Sequence, residues 1–267
     1  MSKTQILVGC DPEIFVKKDG VFHSAHGLVK GDKQNPLKVD RGAVQVDGMA
    51  LEFNIDPASS EDMFITNVNT VMATLRAMVP EYELAAVPVA HFTPEHMKAQ
   101  PPEALELGCE PDFCAYKAGA NPRPDNQRPM RTASGHVHVG WTNGQDVYSA
   151  EADMAARAAS MQMDIILGVP SLFYDDDTER RSMYGKAGCF RPKSYGFEYR
   201  TLSNAWLLTD ERKSWIFRNV QKGMDMLMQG RFLRDELAEF NVEEIINNSD
   251  KKSAEKVIKL LNLEVVA

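Results

Sequence analysis

The sequence predicts an α+β fold, with a mainly antiparallel sheet and helices packed on one side. Three observations point there. The first half is rich in short apolar runs bounded by turn residues. Amphipathic stretches with helical spacing follow later in the chain. Four strand-like stretches also place two polar, chemically competent residues at i and i+2 between apolar ones: Asp11-Pro12-Glu13, Glu52-Phe53-Asn54, His136-Val137-His138 and Glu198-Tyr199-Arg200. On a strand, residues two apart share a face. Each stretch would bury its apolar side and show carboxylates, imidazoles or a guanidinium on the other.

The elements follow in order. ILVGCDPEIFV is a strand, KKDG a hairpin turn and VFHSA a short return strand. HGLVKGDKQNPLKVDRG reads as a loop. AVQVDGMALEFNI is a bent strand or a hairpin turning at Asp47-Gly48. EDMFITNVNTVMATLRAMV is a helix with Phe64, Val68, Val71, Met72 and Leu75 on its apolar face, closed by Pro80. YELAAVPVAHF returns to strand. The stretch AQPPEALELGCEPDFCAYKAGANPRPDNQRPMR is the longest irregular segment, a length that often carries function. SGHVHVGW is a strand. Ser149 caps a helix running to about Leu167, where Gly168 and Pro170 are stop signals. FYDDDTERRSMYGKAGCFRPKS is a charged loop leading into the strand YGFEYRTLSNAW. A helix then starts at Thr209 or Asp210 and ends at Gly230, and short helices complete a helical part over about 209–267. With neither internal repeat nor linker, the 267 residues read as a single domain.

Composition narrows the function. A net charge of −8 argues against a general nucleic-acid binder, while leaving room for a local cationic pocket. No apolar stretch approaches membrane-spanning length, and the N-terminus lacks the apolar run of a signal peptide. Four scattered cysteines (Cys10, Cys109, Cys114 and Cys189) read as free thiols in a reducing cytoplasm. There is no Walker-type loop, no GxGxxG, no GxSxG elbow and no HExxH, so a nucleotide would be held by metal and arginine on a sheet.

The polar pairs suggest a metal–phosphate site. Asp11 and Glu13 on one strand face repel each other unless a cation intervenes, and magnesium or manganese suits oxygen ligands best; two solvated acids on an exposed strand are the plainer alternative. Glu52 sits among Leu51, Phe53 and Ile55, so it needs a partner, with Asp47 a second acid nearby. A structural salt bridge would also satisfy it. His136 and His138 can ligate metal or donate to phosphate, or can be ordinary core histidines. Glu198 and Arg200 can simply pair, or divide the labour, the acid on the cation and the guanidinium on a phosphate. Arg180, Arg181, Lys186 and Arg191 precede them and would add positive charge for a polyphosphate, unless they are a solvated charged loop.

In order and combination, DPE, LEFN, SGHVHVG and FEYR resemble the glutamine synthetase and glutamate–cysteine ligase superfamily, and in particular the phage-encoded (phiEco32-like) type 2 carboxylate–amine ligases. The resemblance runs from about residue 6 to residue 206. It implies a curved antiparallel sheet like that of the glutamine synthetase catalytic domain. It further implies ATP and two or more magnesium or manganese ions. The implied metal ligands are Asp11, Glu13, Glu52, His136 and Glu198. His138, Arg181, Lys186, Arg191 and Arg200 would contact the nucleotide's phosphates, with Arg200, Glu52 and Arg191 closest to the chemistry. Asp11 departs from the glutamine synthetase pattern, which has Glu there. The separate N-terminal β-grasp domain of glutamine synthetase has no counterpart, which puts an inter-subunit active site in question.

The implied reaction joins a carboxylate to an amine through an acyl phosphate, releasing ADP and phosphate. Small-molecule or peptide carboxylates and amines would be its partners, a homo-oligomer is open, and the host cytoplasm is the implied location. Glu110 and Asp112 are candidates for substrate contact. The alternatives are a metal-dependent hydrolase that needs no nucleotide, a non-catalytic nucleotide-binding relative, and a guanidino kinase.

Overall fold

A computed structural model describes residues 4–105, 112–121 and 128–266. Thirteen strands are present among them. Those of the first half are β1 (Leu7–Cys10), β2 (Glu13–Lys18), β3 (Val21–His23), β4 (Leu37–Val39), β5 (Gly42–Asp47), β6 (Ala50–Ile55), β7 (Glu83–Ala85) and β8 (Val89–His91). The others are β9 (Phe113–Cys114), β10 (Met130–Thr132), β11 (Val137–Gly140), β12 (Cys189–Lys193) and β13 (Gly196–Tyr199). The fold is α+β as the sequence predicts, and every strand pairing is antiparallel.

The strands divide into separate sheets rather than one. A histidine-bearing sheet has the order β1-β11-β13-β12-β9, a carboxylate-bearing sheet has the order β3-β2-β6-β5-β4 with β7 also on β2, and β10 pairs β8 apart from both. The cause of the division is local. Pro12 has no N–H to give a ladder, and it interrupts the first apolar run between Cys10 and Glu13. The chain therefore leaves one sheet at Asp11 and enters the other at Glu13.

Both sheets turn an apolar back to the same helices. Val8, Cys10, Val137, Val139, Phe197 and Tyr199 come from one sheet, and Ile14, Val16, Val44, Leu51 and Phe53 from the other; all are buried in one contiguous cluster. The helix Glu61–Met78 packs on β5 and β6, and the helix Ala150–Met163 on β12 and β13. The helix Asp210–Met228 lies against both. Leaving the backs apolar and covered forces the polar partners at i±1 onto the opposite face. A smaller satellite core of Phe15, Met49, Ala85, Ala90 and Phe92 packs beside that face.

Several local expectations hold. Ser149 caps its helix as expected and Thr209 caps the helix predicted to start at Thr209 or Asp210, each accepting a backbone N–H from the third residue on; Ser60, not singled out from the sequence, caps a third helix in the same way. The hairpin turns at Asp47-Gly48, with Gly48 at φ 57°, a conformation that glycine reaches without strain. Other expectations change. The Ser149-capped helix does not stop at Gly168: it passes through a π-helical turn, Asp164–Gly168, and regains α geometry over Val169–Ser171. The Val169 N–H reaches back five residues to the Asp164 carbonyl, and this widened turn carries Pro170, which has no N–H to donate, without breaking the helix. The charged segment before Tyr195 contains a short helix, Glu179–Met183, as well as β12. No helix among the described residues is long and apolar enough to cross a membrane.

Candidate functional site

The polar residues lie in transverse rows across the two sheets. In the histidine sheet, His138 stands opposite Glu198, and Glu198 opposite Arg191. His136 and Arg200 lie one step beyond the strand ends, next to Asp11, which follows β1. Gly135 permits this close approach: a Cβ there would sit 2.2 Å from the Ser203 carbonyl oxygen and 2.3 Å from the Trp206 indole nitrogen. The Trp206 indole N–H donates to the Gly135 carbonyl at 3.0 Å, holding the residue before His136 in place. In the carboxylate sheet, Gln45 is opposite Glu52 and Glu52 opposite Glu13.

Asp11, His136 and Glu198 form the tightest group. One donor atom from each lies within 4.8 Å of the others, and among the described residues no other set of metal-ligating side chains is drawn together so closely. His136 Nδ1 is 3.3 Å from Asp11 Oδ1 and 3.4 Å from Glu198 Oε1. His138 Nε2 is 2.9 Å from the same Asp11 oxygen. Asp11 Oδ1 and His138 Nε2 thus meet as a close charge pair without an aligned hydrogen bond, and His136 Nε2 is buried with no partner at all. Buried polar atoms normally find a partner. An oxygen–nitrogen–oxygen donor set with lone pairs left over fits a divalent cation such as magnesium or manganese.

The charge states suit that role. Burial and the Arg200 guanidinium push His136 down to about 4, so it is neutral and free to ligate at physiological pH. Burial would raise Asp11, but His138 and His136 outweigh it and hold the carboxyl well below its usual range. Burial would lower His138, but Asp11 beside it raises it on balance. The Tyr195 hydroxyl bonds to His138 Nδ1 and fixes the ring, in the manner of an outer-shell partner.

Cations gather around Glu198, which is fully buried. Arg200 donates to its Oε1, Lys193 Nζ is 2.8 Å from Oε2, and Arg191 approaches Oε2 at 3.5 Å. Arg200 is itself held by Asp112 at 3.3 Å and by the Tyr184 hydroxyl. Asp112 thus braces the guanidinium; Glu110, its companion as a candidate substrate contact, lies outside the described residues. Lys193 was not singled out from the sequence, although Arg191-Pro192-Lys193 repeats the same i, i+2 pattern as the four motifs.

Two of the cationic candidates are placed elsewhere. Arg181 is 3% exposed and pairs with Asp175 at 3.2 Å, with further bonds to the Asp177 carbonyl and Ser249. Its two terminal nitrogens are spent on local structure. Its neighbour Arg180 turns toward the site but spends its donors on the carbonyls of Thr201 and Leu202, each at 2.8 Å, and on Ser134. Lys186 is exposed, and its carbonyl accepts from Thr201. A charged loop carries the same residue letters whether its arginines face in or out, so the sequence could not separate these cases.

Glu13, Glu52 and Asp47 make a second, different group. Glu13 Oε2 accepts the Ser134 N–H at 2.7 Å, and Glu52 Oε2 accepts from the Gln45 amide at 2.7 Å. Burial, with Asp47 adding to it, raises Glu13 to about 7 against the opposing pull of the Ser134 N–H and Arg200. Burial, then Asp11, Asp47 and Glu13, raises Glu52 well above its ordinary value. Lys33, from the loop before β4, reaches Asp47 at 3.5 Å. A cleft of about 760 Å³ joins the two groups, its wall including Asp11, Glu52, His138, Lys33, Trp141 and Tyr195. That volume is in the range of small-molecule sites.

A search of curated proteins found no match. Residues 116–238, just under half of the chain, carry His136, His138, Arg191, Glu198 and Arg200; they match the model of the family described as Phage phiEco32-like COOH.NH2 ligase-type 2, so the family that the four motifs resemble is the one the chain matches.

Proposed function

We propose that this protein joins a carboxylate to an amine at the expense of ATP, through an acyl phosphate, in the cleft between the two sheets. The observation that carries the reading is the convergence of Asp11, His136 and Glu198, with Arg200, Arg191 and Lys193 gathered on Glu198 and with Asp11 and His138 on the cleft wall. The family's description supplies the carboxylate–amine half of the statement.

The chemistry follows from the residues. A carboxylate is a poor electrophile because its leaving group would be oxide. An oxygen of the substrate carboxylate attacks the γ-phosphorus of ATP, the bond to the β–γ bridging oxygen breaks, and ADP leaves. The amine nitrogen then attacks the acyl carbon, phosphate departs with the C–O bonding pair, and the nitrogen loses a proton to give the amide. Asp11, His136 and Glu198 would hold a divalent magnesium or manganese ion, which when bound neutralises polyphosphate charge. Arg200 stands where a guanidinium can meet the transferred phosphoryl oxygens, and Arg191 and Lys193 extend that positive wall. His138, locked by Tyr195, faces the cleft as a donor to phosphate. Trp141 and Tyr195 offer aromatic surface for the base of the nucleotide. The raised Glu13 and Glu52 suit them to receive the proton released by the amine. The substrates are small-molecule or peptide carboxylates and amines.

The test is ADP release by the full chain with Mg²⁺ or Mn²⁺ across a panel of amino acids, peptides and amines, with mass spectrometry of the product. ADP release that depends on both a carboxylate and an amine, with a product lighter than their sum by one water, supports the reading. Metal-dependent cleavage of esters or amides without ATP would replace it with the hydrolase.

A further inference from the structure

The two halves of the cleft satisfy their acids differently. In the histidine half Glu198 is engaged by Arg200, Lys193 and Arg191, while Asp11, His136 and His138 each keep a buried atom that makes no aligned hydrogen bond. In the other half each carboxylate already has an oxygen engaged: Glu13 by the Ser134 N–H, Glu52 by Gln45 and Asp47 by Lys33. Those three acids do not converge to the spacing of a ligand set, which among the described residues only the histidine half attains. Lys33 instead enters the same cleft wall as Glu52 and Asp11. Burial works against its charge, and Asp47, Glu52 and Glu13 together hold that charge in place.

We propose that Lys33 is the resident counter-cation of the Glu13, Glu52 and Asp47 cluster, so that this half of the cleft carries an ammonium where the resemblance implies a further metal ion. The inference rests on the reading of Asp11, His136 and Glu198 as the metal-holding group. Its physical basis is charge balance. Buried carboxylates that repel one another need a cation or a proton. Lys33, 46% exposed, reaches in from the rim to Asp47 and supplies one from the chain itself, and a divalent ion entering there must first displace it. Gln45 strengthens the case: it is a neutral amide, opposite Glu52, that donates rather than coordinates. The centre then works with one firmly held divalent ion.

The experiment is a titration of the full chain with Mn²⁺ alone, reading the free aqua ion by electron paramagnetic resonance, for the wild type, Lys33→Met, Lys33→Arg and His136→Ala. The wild type should hold one ion tightly. Lys33→Met should tighten a second by about tenfold or more, the change expected when a unit positive charge leaves a partly buried site. Lys33→Arg should keep the wild-type stoichiometry, and His136→Ala should lose the tight ion. Two wild-type ions of similar affinity, or a second site indifferent to Lys33→Met, would overturn the inference alone. A wild type that holds no ion would overturn the metal reading of the His136 group and this inference with it. Circular dichroism checks folding, and Lys33→Gln replaces Lys33→Met should that variant fail to fold.

Discussion

The histidine half and the carboxylate half of the cleft are built by the same rule and end in opposite states. Each has strands that bury apolar residues and show polar ones at i±1. In the histidine half, Asp11, His136 and His138 keep buried atoms without hydrogen bonds, a condition proteins rarely tolerate without reason. In the carboxylate half, Ser134, Gln45 and Lys33 each engage one acid. Acid content alone therefore does not distinguish the halves; on the proposed reading, the half with fewer carboxylates holds the ion.

Glu198→Ala should cause the largest change. Removing a fully buried acid leaves Arg200, Lys193 and Arg191 without their shared partner, and breaking a buried ion pair from one side costs roughly 3–5 kcal/mol. Thermal unfolding should show it, and turnover should vanish. His136→Ala probes the same half more gently. Mn²⁺ affinity should drop beyond the roughly 10–100-fold that loss of an outer-shell partner causes, while Glu52→Gln leaves the tight ion in place. Equal losses in the two variants would erase the distinction between the halves.

Glu13 gives the comparison a pH axis. Its folded value of about 7 lies above its ordinary 4.5, so between those limits the folded protein keeps a proton that the unfolded chain has released. The stabilisation is complete below the lower value and is lost as pH rises through the upper one. Glu13→Gln cannot release a proton there. Its stability should fall less than that of the wild type from about pH 5 to about pH 8, by on the order of 2 kcal/mol in denaturant midpoints. Parallel profiles would show that Glu13 is not the group that titrates. The smallest effect is expected from Tyr195→Phe, which frees the His138 ring without removing a ligand; metal affinity or turnover should decline by about tenfold.

Much of this was legible in the sequence, because alternation on strands is a local rule. The i, i+2 motifs picked out the polar faces of the strands, of which Asp11, Glu52 and His138 line the cleft, and Ser149 marked the start of one long helix. What escaped depended on contacts distant in sequence. Lys33 lies in a loop with no periodicity to orient it, and only its approach to Asp47 gives it meaning. Arg180 and Arg181 are adjacent and chemically identical, yet one turns toward Ser134 and the other toward Asp175. Asp11 and Glu13 read as partners on one strand face, whereas the structure assigns them to different sheets. The proline between them cannot join a ladder, and its consequence shows only in the strand pairings.

That proline also makes the spacing between the halves a matter of covalent length. Asp11 belongs with the imidazoles and Glu13 with Glu52, and a single residue connects them. The interval from Asp11 to Glu13 is thereby ruled off by the backbone and does not depend on how the two layers settle against each other. Splicing one extra residue in beside Pro12 would leave each layer able to form its own ladders, yet it would pull the two apart like a vernier moved off its mark.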